Sequence, residues 1–208
     1  MAKSCCEGKS AELELLRGKQ GKVLKVVLVL NALMFVVEFT YGLLSHSSSL
    51  MADSLDMFGD AAVYAFSLFA LNRGAIWRAR AGLSKGVVMA VFGIFVLAQT
   101  IYRVWMGAVP LAETMGIVGA LALLVNATCL WLLYSHRSDD INMRSTWLCS
   151  RNDIIANFGV LAAAFLVNYT ATLWPDAIVG LLIAALFLRS AFQVVLEARG
   201  ELKIQSGT

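Results

Sequence analysis

Apolar residues run in long blocks along the chain, not in the two-residue alternation of a half-buried strand. The blocks cover residues 23–44, 50–71, 86–104, 114–135, 145–167 and 177–196. Each meets or approaches the roughly 20 residues that a helix needs to cross a hydrocarbon core about 30 Å thick. The pattern therefore predicts an all-α integral membrane protein, a bundle of six transmembrane helices. No glycine- and serine-rich linker or repeat of solenoid period divides it.

Composition agrees with the pattern. Of 208 residues, 59% are hydrophobic and 15% charged, where an ordinary soluble domain is roughly 45–50% apolar. A water-soluble globular fold is excluded, and with two prolines and four scattered cysteines so are a disordered chain and a secreted disulfide scaffold. The first 22 residues carry no short apolar core ahead of a cleavage site, so no removable signal peptide is expected.

Basic residues set the expected orientation, because Lys and Arg accumulate in cytoplasmic segments. Lys3, Lys9, Arg17, Lys19 and Lys22 precede the first span, and Arg73, Arg78, Arg80 and Lys85 follow the second. Arg137 and Arg144 follow the fourth, and Arg199 and Lys203 the sixth. The opposite turns, around His46, Pro110 and Pro175, hold none. Six crossings with both termini cytoplasmic satisfy this count. The expected division is a cytoplasmic tail at residues 1–22, a six-helix transmembrane domain at 23–197 and a short cytoplasmic tail at 198–208. The basic residues mark topology and form no patch for nucleic acid.

The acids are less evenly spread. The third and fourth blocks contain none, whereas the second contains Asp53, Asp56 and Asp60. An ionisable residue at the bilayer centre costs about 2.5–3.5 kcal/mol on insertion scales, so three on one helix need partners or a watery cavity. Asp56 and Asp60 are four apart and share a helical face one turn apart. Cys149 and Asp153 repeat that spacing in the fifth span. Two helices, each offering two anionic ligands, can enclose a tetrahedral dication. The thiolate turns preference toward zinc or cadmium and away from magnesium, calcium and manganese. The expected metal ligands are Asp56, Asp60, Cys149 and Asp153. Singly, Cys149 would read as a small buried hydrophobe; the paired spacings argue for ligation.

The run from Glu38 through Gly42, His46, Leu50, Asp53 and Asp56 to Asp60 closely resembles the first two helices of the cation diffusion facilitator family. The stretch from Asp140 through Asn142, Arg144, Cys149 and Asp153 to Asn157 looks like that family's entry into its fifth helix, and Pro175-Asp176 is similar to the start of its sixth. The resemblance implies six transmembrane helices, usually in a homodimer, exporting zinc or related divalent cations from the cytosol in exchange for protons. It places the transport site on the same four residues, Asp56, Asp60, Cys149 and Asp153. Two departures stand out. Most relatives have His where this chain has Cys149, which leaves the preference open between Zn2+, Cd2+ and a broader soft-metal range. Most also carry a cytoplasmic C-terminal domain of ferredoxin-like shape, for which the residues after the sixth span leave no room, so dimerisation would fall to the membrane helices. The loop between the fourth and fifth spans holds one histidine, His136, so a histidine-rich metal loop is absent.

Three carboxylates and a thiolate around a dication leave a charge of about −2 in a poorly solvated place. The metal-free site is therefore expected to hold protons that metal displaces, which couples the two fluxes. Several further residues are candidates to orient ligands or pass protons. Asn31 and Glu38 lie seven apart on one face of the first span, Asp53 is one turn from Asp56, Asn157 is one turn beyond Asp153, and His46 sits at the outer mouth. Each could equally serve as interhelical hydrogen-bond glue or, for His46, as a solvated loop residue. Cys5 and Cys6 are adjacent soft ligands in a reducing compartment and candidates for cytoplasmic metal capture; lipidation or no role competes.

The expected partners are divalent metal ions, protons, the lipid bilayer and a second copy of the chain, and the expected location is a bacterial cytoplasmic (inner) membrane. No enzymatic activity is expected, because an intramembrane aspartyl protease would resemble one aspartate on each of two helices in YD and GxGD settings, which this chain lacks. The other class is a non-transporting membrane protein that binds metal as a sensor or structural element.

Overall fold

The computed structural model describes residues 20–70, 75–134 and 141–206. These form helices α1 (Gln20–Leu44), α2 (Ser48–Ala70), α3 (Ala75–Met106), α4 (Ala112–Tyr134), α5 (Ile141–Thr170) and α6 (Trp174–Ser206), and no strand among the described residues. Each apolar block of the sequence has its helix. Three helices extend well past their blocks on the basic side: α3 takes in Arg78, Arg80 and Lys85, α5 takes in Arg144, and α6 runs on through Arg199 and Lys203. A helix keeps its internal hydrogen bonds beyond the hydrocarbon edge, so residues that the charge count placed in loops and a tail are helical.

Five of these helices contain a stretch long and apolar enough to cross a membrane: Lys25–Leu44, Gly86–Met106, Ala112–Tyr134, Asp153–Thr170 and Trp174–Gly200. Among the described residues no such stretch falls in α2, where Asp53, Asp56 and Asp60 interrupt the apolar sequence. This helix is packed against α1, α3, α5 and α6, and Leu50, Met51, Ala52 and Leu55 along it are wholly buried.

The surface is that of a multi-pass membrane protein. Large apolar side chains point outward, among them Val29, Leu33, Val91, Ile117, Leu124, Phe165 and Leu186, while Glu38, Asp53, Asn126, Asn157, Arg103 and Asp176 are buried. Water would penalise that inversion and lipid favours it. Trp105, Tyr169 and Trp174 stand exposed at helix ends on one side of the bundle, where aromatic rings favour the membrane–water interface.

Interlocking rings join the first three helices. Phe58 of α2 lies 5.1 Å, ring to ring, from Phe35 of α1 and 5.0 Å from Phe92 of α3. Phe35 and Phe92 meet edge to face at 6.1 Å.

The turns at the aromatic end are closed by residues in the left-handed region: His46 (φ 55°), Gly107 (φ 65°) and Ala171 (φ 50°). At the end of α1, Ser47 N–H donates to the Gly42 carbonyl at 3.0 Å and His46 N–H to that of Leu43 at 3.3 Å. At the end of α3, Ala108 N–H donates to Arg103 at 3.2 Å and Gly107 N–H to Val104 at 3.2 Å. Both are paired carbonyl caps of the Schellman type. Pro175 occupies the first turn of α6, where its missing N–H costs nothing.

The α1–α2 turn is fastened from three sides. Asp176, in the first turn of α6, accepts from Ser47 Oγ (2.8 Å), Ser48 N (2.6 Å), Ser49 N (2.9 Å) and Ser49 Oγ (2.6 Å). Its carboxylate so caps the N-terminus of α2, where charge and free N–H groups favour an anion. Leu111 N–H, ahead of α4, donates to the Ser45 carbonyl at 2.9 Å. Arg103 Nη2 of α3 donates to the Gly42 carbonyl at 3.2 Å. The approach is close enough to demand glycine at two points. A methyl at Gly180 would fall 2.7 Å from the main-chain carbon of Ser48, and one at Gly42 2.9 Å from Met51 N.

Candidate metal centre

The spacing along α2 does what a helix dictates: Asp53, Asp56 and Asp60 descend its inner side. Asp53 is 1% exposed, and Asp56 and Asp60 are half-buried. From α5, Asp153 is half-buried, and Asn157 one turn on is fully buried. α1 contributes Glu38, 0% exposed, and Asn31, also buried.

These groups form one charged cluster across three helices. Glu38 lies close enough to feel Asp53, Asp56 and Asp153; Asp53 feels Asp153; and Asp56 feels Asp53 and Asp60. Asn157 Nδ2 donates to Asp53 Oδ2 at 2.9 Å and to the main-chain carbonyl of Asp153 at 2.9 Å. Both Glu38 carboxylate oxygens, Asp53 Oδ1 and Asn157 Oδ1 are buried with no hydrogen-bond donor on them. From α4, Asn126 Nδ2 is likewise buried without an acceptor, and the buried Cys129 thiol is near enough to feel Asp60 and Asp153.

Of the four expected ligands, Asp56, Asp60 and Asp153 thus share one end-to-end cluster. Cys149 lies within helix α5, but its side chain is outside the described residues, as are Cys5 and Cys6. Among the described residues, no three Cys, His, Asp or Glu side chains converge closely enough to hold an ion. His46 is exposed, at the left-handed position that closes α1; its evident part is in the turn. Asn157, a candidate to orient Asp153 or to serve as interhelical hydrogen-bond glue, donates both to the Asp153 carbonyl and across to Asp53 of α2.

Three polar participants carried no assigned role in the sequence: Arg103, Asp176 and the serines at 47–49. Their signals were local, an Arg inside the third apolar block, a Pro-Asp pair opening a helix and a serine run opening another. The packing of α6 against α2 joins Asp176 to the serines, and Arg103 reaches the same turn at Gly42 from α3.

Residues 24–202 match the family model described as the cation efflux transmembrane domain. The chain belongs to the cation efflux family. These are the cation diffusion facilitators that the acidic motifs resemble. Among curated cation efflux relatives, the chain is 30% identical over 195 residues to the zinc transporter ZitB of Pectobacterium atrosepticum, covering 87% of this chain and 61% of that protein. It is 25% identical over 201 residues to the metal cation efflux system protein CzcD of Cupriavidus metallidurans, covering 86% and 63%. It is 24% identical over 196 residues to a cadmium, cobalt and zinc/H(+)-K(+) antiporter of Bacillus subtilis, covering 85% and 61%. The chain spans about three-fifths of the length of these cation efflux relatives.

Proposed function

We propose that the protein exports a divalent transition metal, Zn2+ and also Cd2+, from the cytoplasm in exchange for protons. The substrate ion is held by Asp56, Asp60, Cys149 and Asp153 on α2 and α5. The observation that supports this reading most is the acid cluster: carboxylates from two helices of a lipid-facing bundle lie near one another. The names of the zinc and cadmium relatives point the same way.

In this reading all six helices cross the membrane, with residues 1–22 and 198–208 cytoplasmic and 23–197 forming the transmembrane domain. Two copies associate in a bacterial cytoplasmic membrane. Metal entering from the near-neutral cytoplasm draws the ligands together and displaces protons from them. Reorientation of the helices then exposes the ion to the more acidic side, where protons return and metal leaves. The protein acts as a secondary transporter, and Cys5 and Cys6 collect the ion beforehand.

The test is metal movement in proteoliposomes under an imposed pH gradient, comparing Zn2+, Cd2+ and Mn2+ for the native protein and Asp60→Ala. Zn2+ or Cd2+ flux that needs both the gradient and Asp60, with Mn2+ left behind, is the expected result. Metal bound at the four residues without flux would replace transport with a sensing or structural role.

A further inference from the structure

The Asn157 amide has two N–H groups, and both are committed. One is donated to Asp53 Oδ2 of α2 and the other to the main-chain carbonyl of Asp153 on α5, each at 2.9 Å. The residue is wholly buried. Asp53 stands three residues before Asp56 on α2, and Asn157 four residues after Asp153 on α5. One side chain therefore spans the two helices that supply the proposed ligands, within one turn of a ligand on each.

We infer that Asn157 is a positioning residue that fixes the separation of α2 and α5 at the metal centre, and with it the size of ion the centre prefers. This rests on the reading of Asp56, Asp60, Cys149 and Asp153 as ligands. The bridge leaves little slack. Its acceptor on α5 is main chain, so the amide cannot swing without leaving the helix it belongs to. Its acceptor on α2 is wholly buried, with Glu38 of α1 close by. As mere glue such a bond contributes little, because interhelical hydrogen bonds in lipid are weak and the unfolded segments find other partners. As a spacer it has large leverage, since zinc requires its oxygen ligands at about 2.0–2.2 Å. A larger ion such as Cd2+ tolerates wider helices. Loss of the bridge therefore weakens Zn2+ binding more than Cd2+ binding.

The experiment is calorimetric titration of the purified full chain in detergent with Zn2+ and with Cd2+. The variants are Asn157→Leu, of similar volume without donors, Asn157→Ala as a second truncation, Asp53→Asn and Asp60→Ala, each with its melting temperature. Asn157→Leu should lose roughly 10- to 100-fold in Zn2+ affinity, the range typical of groups that orient metal ligands. It should lose less for Cd2+ and melt close to the native protein. Asp53→Asn keeps a carbonyl oxygen to receive the Asn157 N–H while removing the charge, so it should retain the native Zn2+-to-Cd2+ preference. Unchanged affinities and preference in both folded Asn157 variants would overturn the inference. So would an Asp53→Asn protein that matches Asn157→Leu, because charge and not the bridge would then be at work. Native binding indifferent to Asp60→Ala would overturn the ligand reading itself, whatever Asn157 does.

Discussion

At Glu38 a carboxyl with no donor on either oxygen is buried beside a second carboxyl, Asp53, whose Oδ1 also lacks a donor. Glu38→Gln changes little in volume and brings an N–H group that can be donated to the orphaned Asp53 Oδ1. A buried hydrogen bond of this kind contributes about 0.5–1.5 kcal/mol net, so thermal melting in detergent should show the variant at or above native stability. A melting temperature well below native would mean that the carboxyl is already satisfied in another way. Cys149, as a member of the proposed ligand set, can also be tested by a single replacement. Replacing a thiolate with imidazole removes the softest donor of the proposed four, so Cys149→His should move relative binding away from Cd2+ and toward Zn2+. Competition titration of the two ions against the native protein checks this. Both residues were legible from sequence, Cys149 by its spacing to Asp153 and Glu38 as an acid within an apolar block. The Asn157–Asp53 bond was not, because hydropathy and spacing do not say which helices are neighbours or in what register.

Among the elements, α2 is the most dependent on the others. Its apolar stretch is interrupted by Asp53, Asp56 and Asp60, and its N-terminus is satisfied by a side chain from α6. Replacing Asp176 with Ala would leave two serine hydroxyls and the Ser48 and Ser49 amides without their acceptor. Hydrogen bonds to charged groups are worth about 1.5–3 kcal/mol each, so the loss should total at least about 3 kcal/mol and lower the melting temperature by several degrees. A melt unchanged from native would show that water or another group replaces the carboxylate. On the aromatic side the helix ends fall within about three residues of the apolar blocks, and Gly107, Pro110 and Pro175 mark the turns. On the basic side the apolar pattern ends before the helix does, as at Ala75 for α3 and Ile141 for α5. Hydropathy measures the solvent around a helix, and backbone hydrogen bonding decides its length.

For the molecule as a whole, the arrangement of acids inside and apolar residues outside sets the direction of its pH response. At the proposed site metal binding requires deprotonated carboxylates and thiol, and the carboxylates of Glu38, Asp53 and Asp56 lie close enough for their negative charges to repel. Lowering the pH fills them with protons, so affinity for Zn2+ should fall steeply with acidification, by more than tenfold per pH unit where more than one proton is released. Titrations at several pH values in lightly buffered solution would also count those protons directly. A pH-independent affinity would remove the proposed coupling.

The threefold fastening of the α1–α2 turn also bears on how the protein can be handled. His46 is exposed and sits in a loop, which would ordinarily recommend the position for an epitope or a fluorophore-bearing insertion. Here any added residue must part Ser45 from Leu111, Gly42 from Arg103 or the serines from Asp176. The α5–α6 turn offers an exposed alternative at Thr172, whose hydroxyl is hydrogen-bonded only to that of Thr170 among the described contacts. A tag placed at Thr172 should leave expression and melting near native, whereas the same tag after His46 should abolish recovery of folded protein. The aromatic side thus has one permissive doorway and one that is bolted shut.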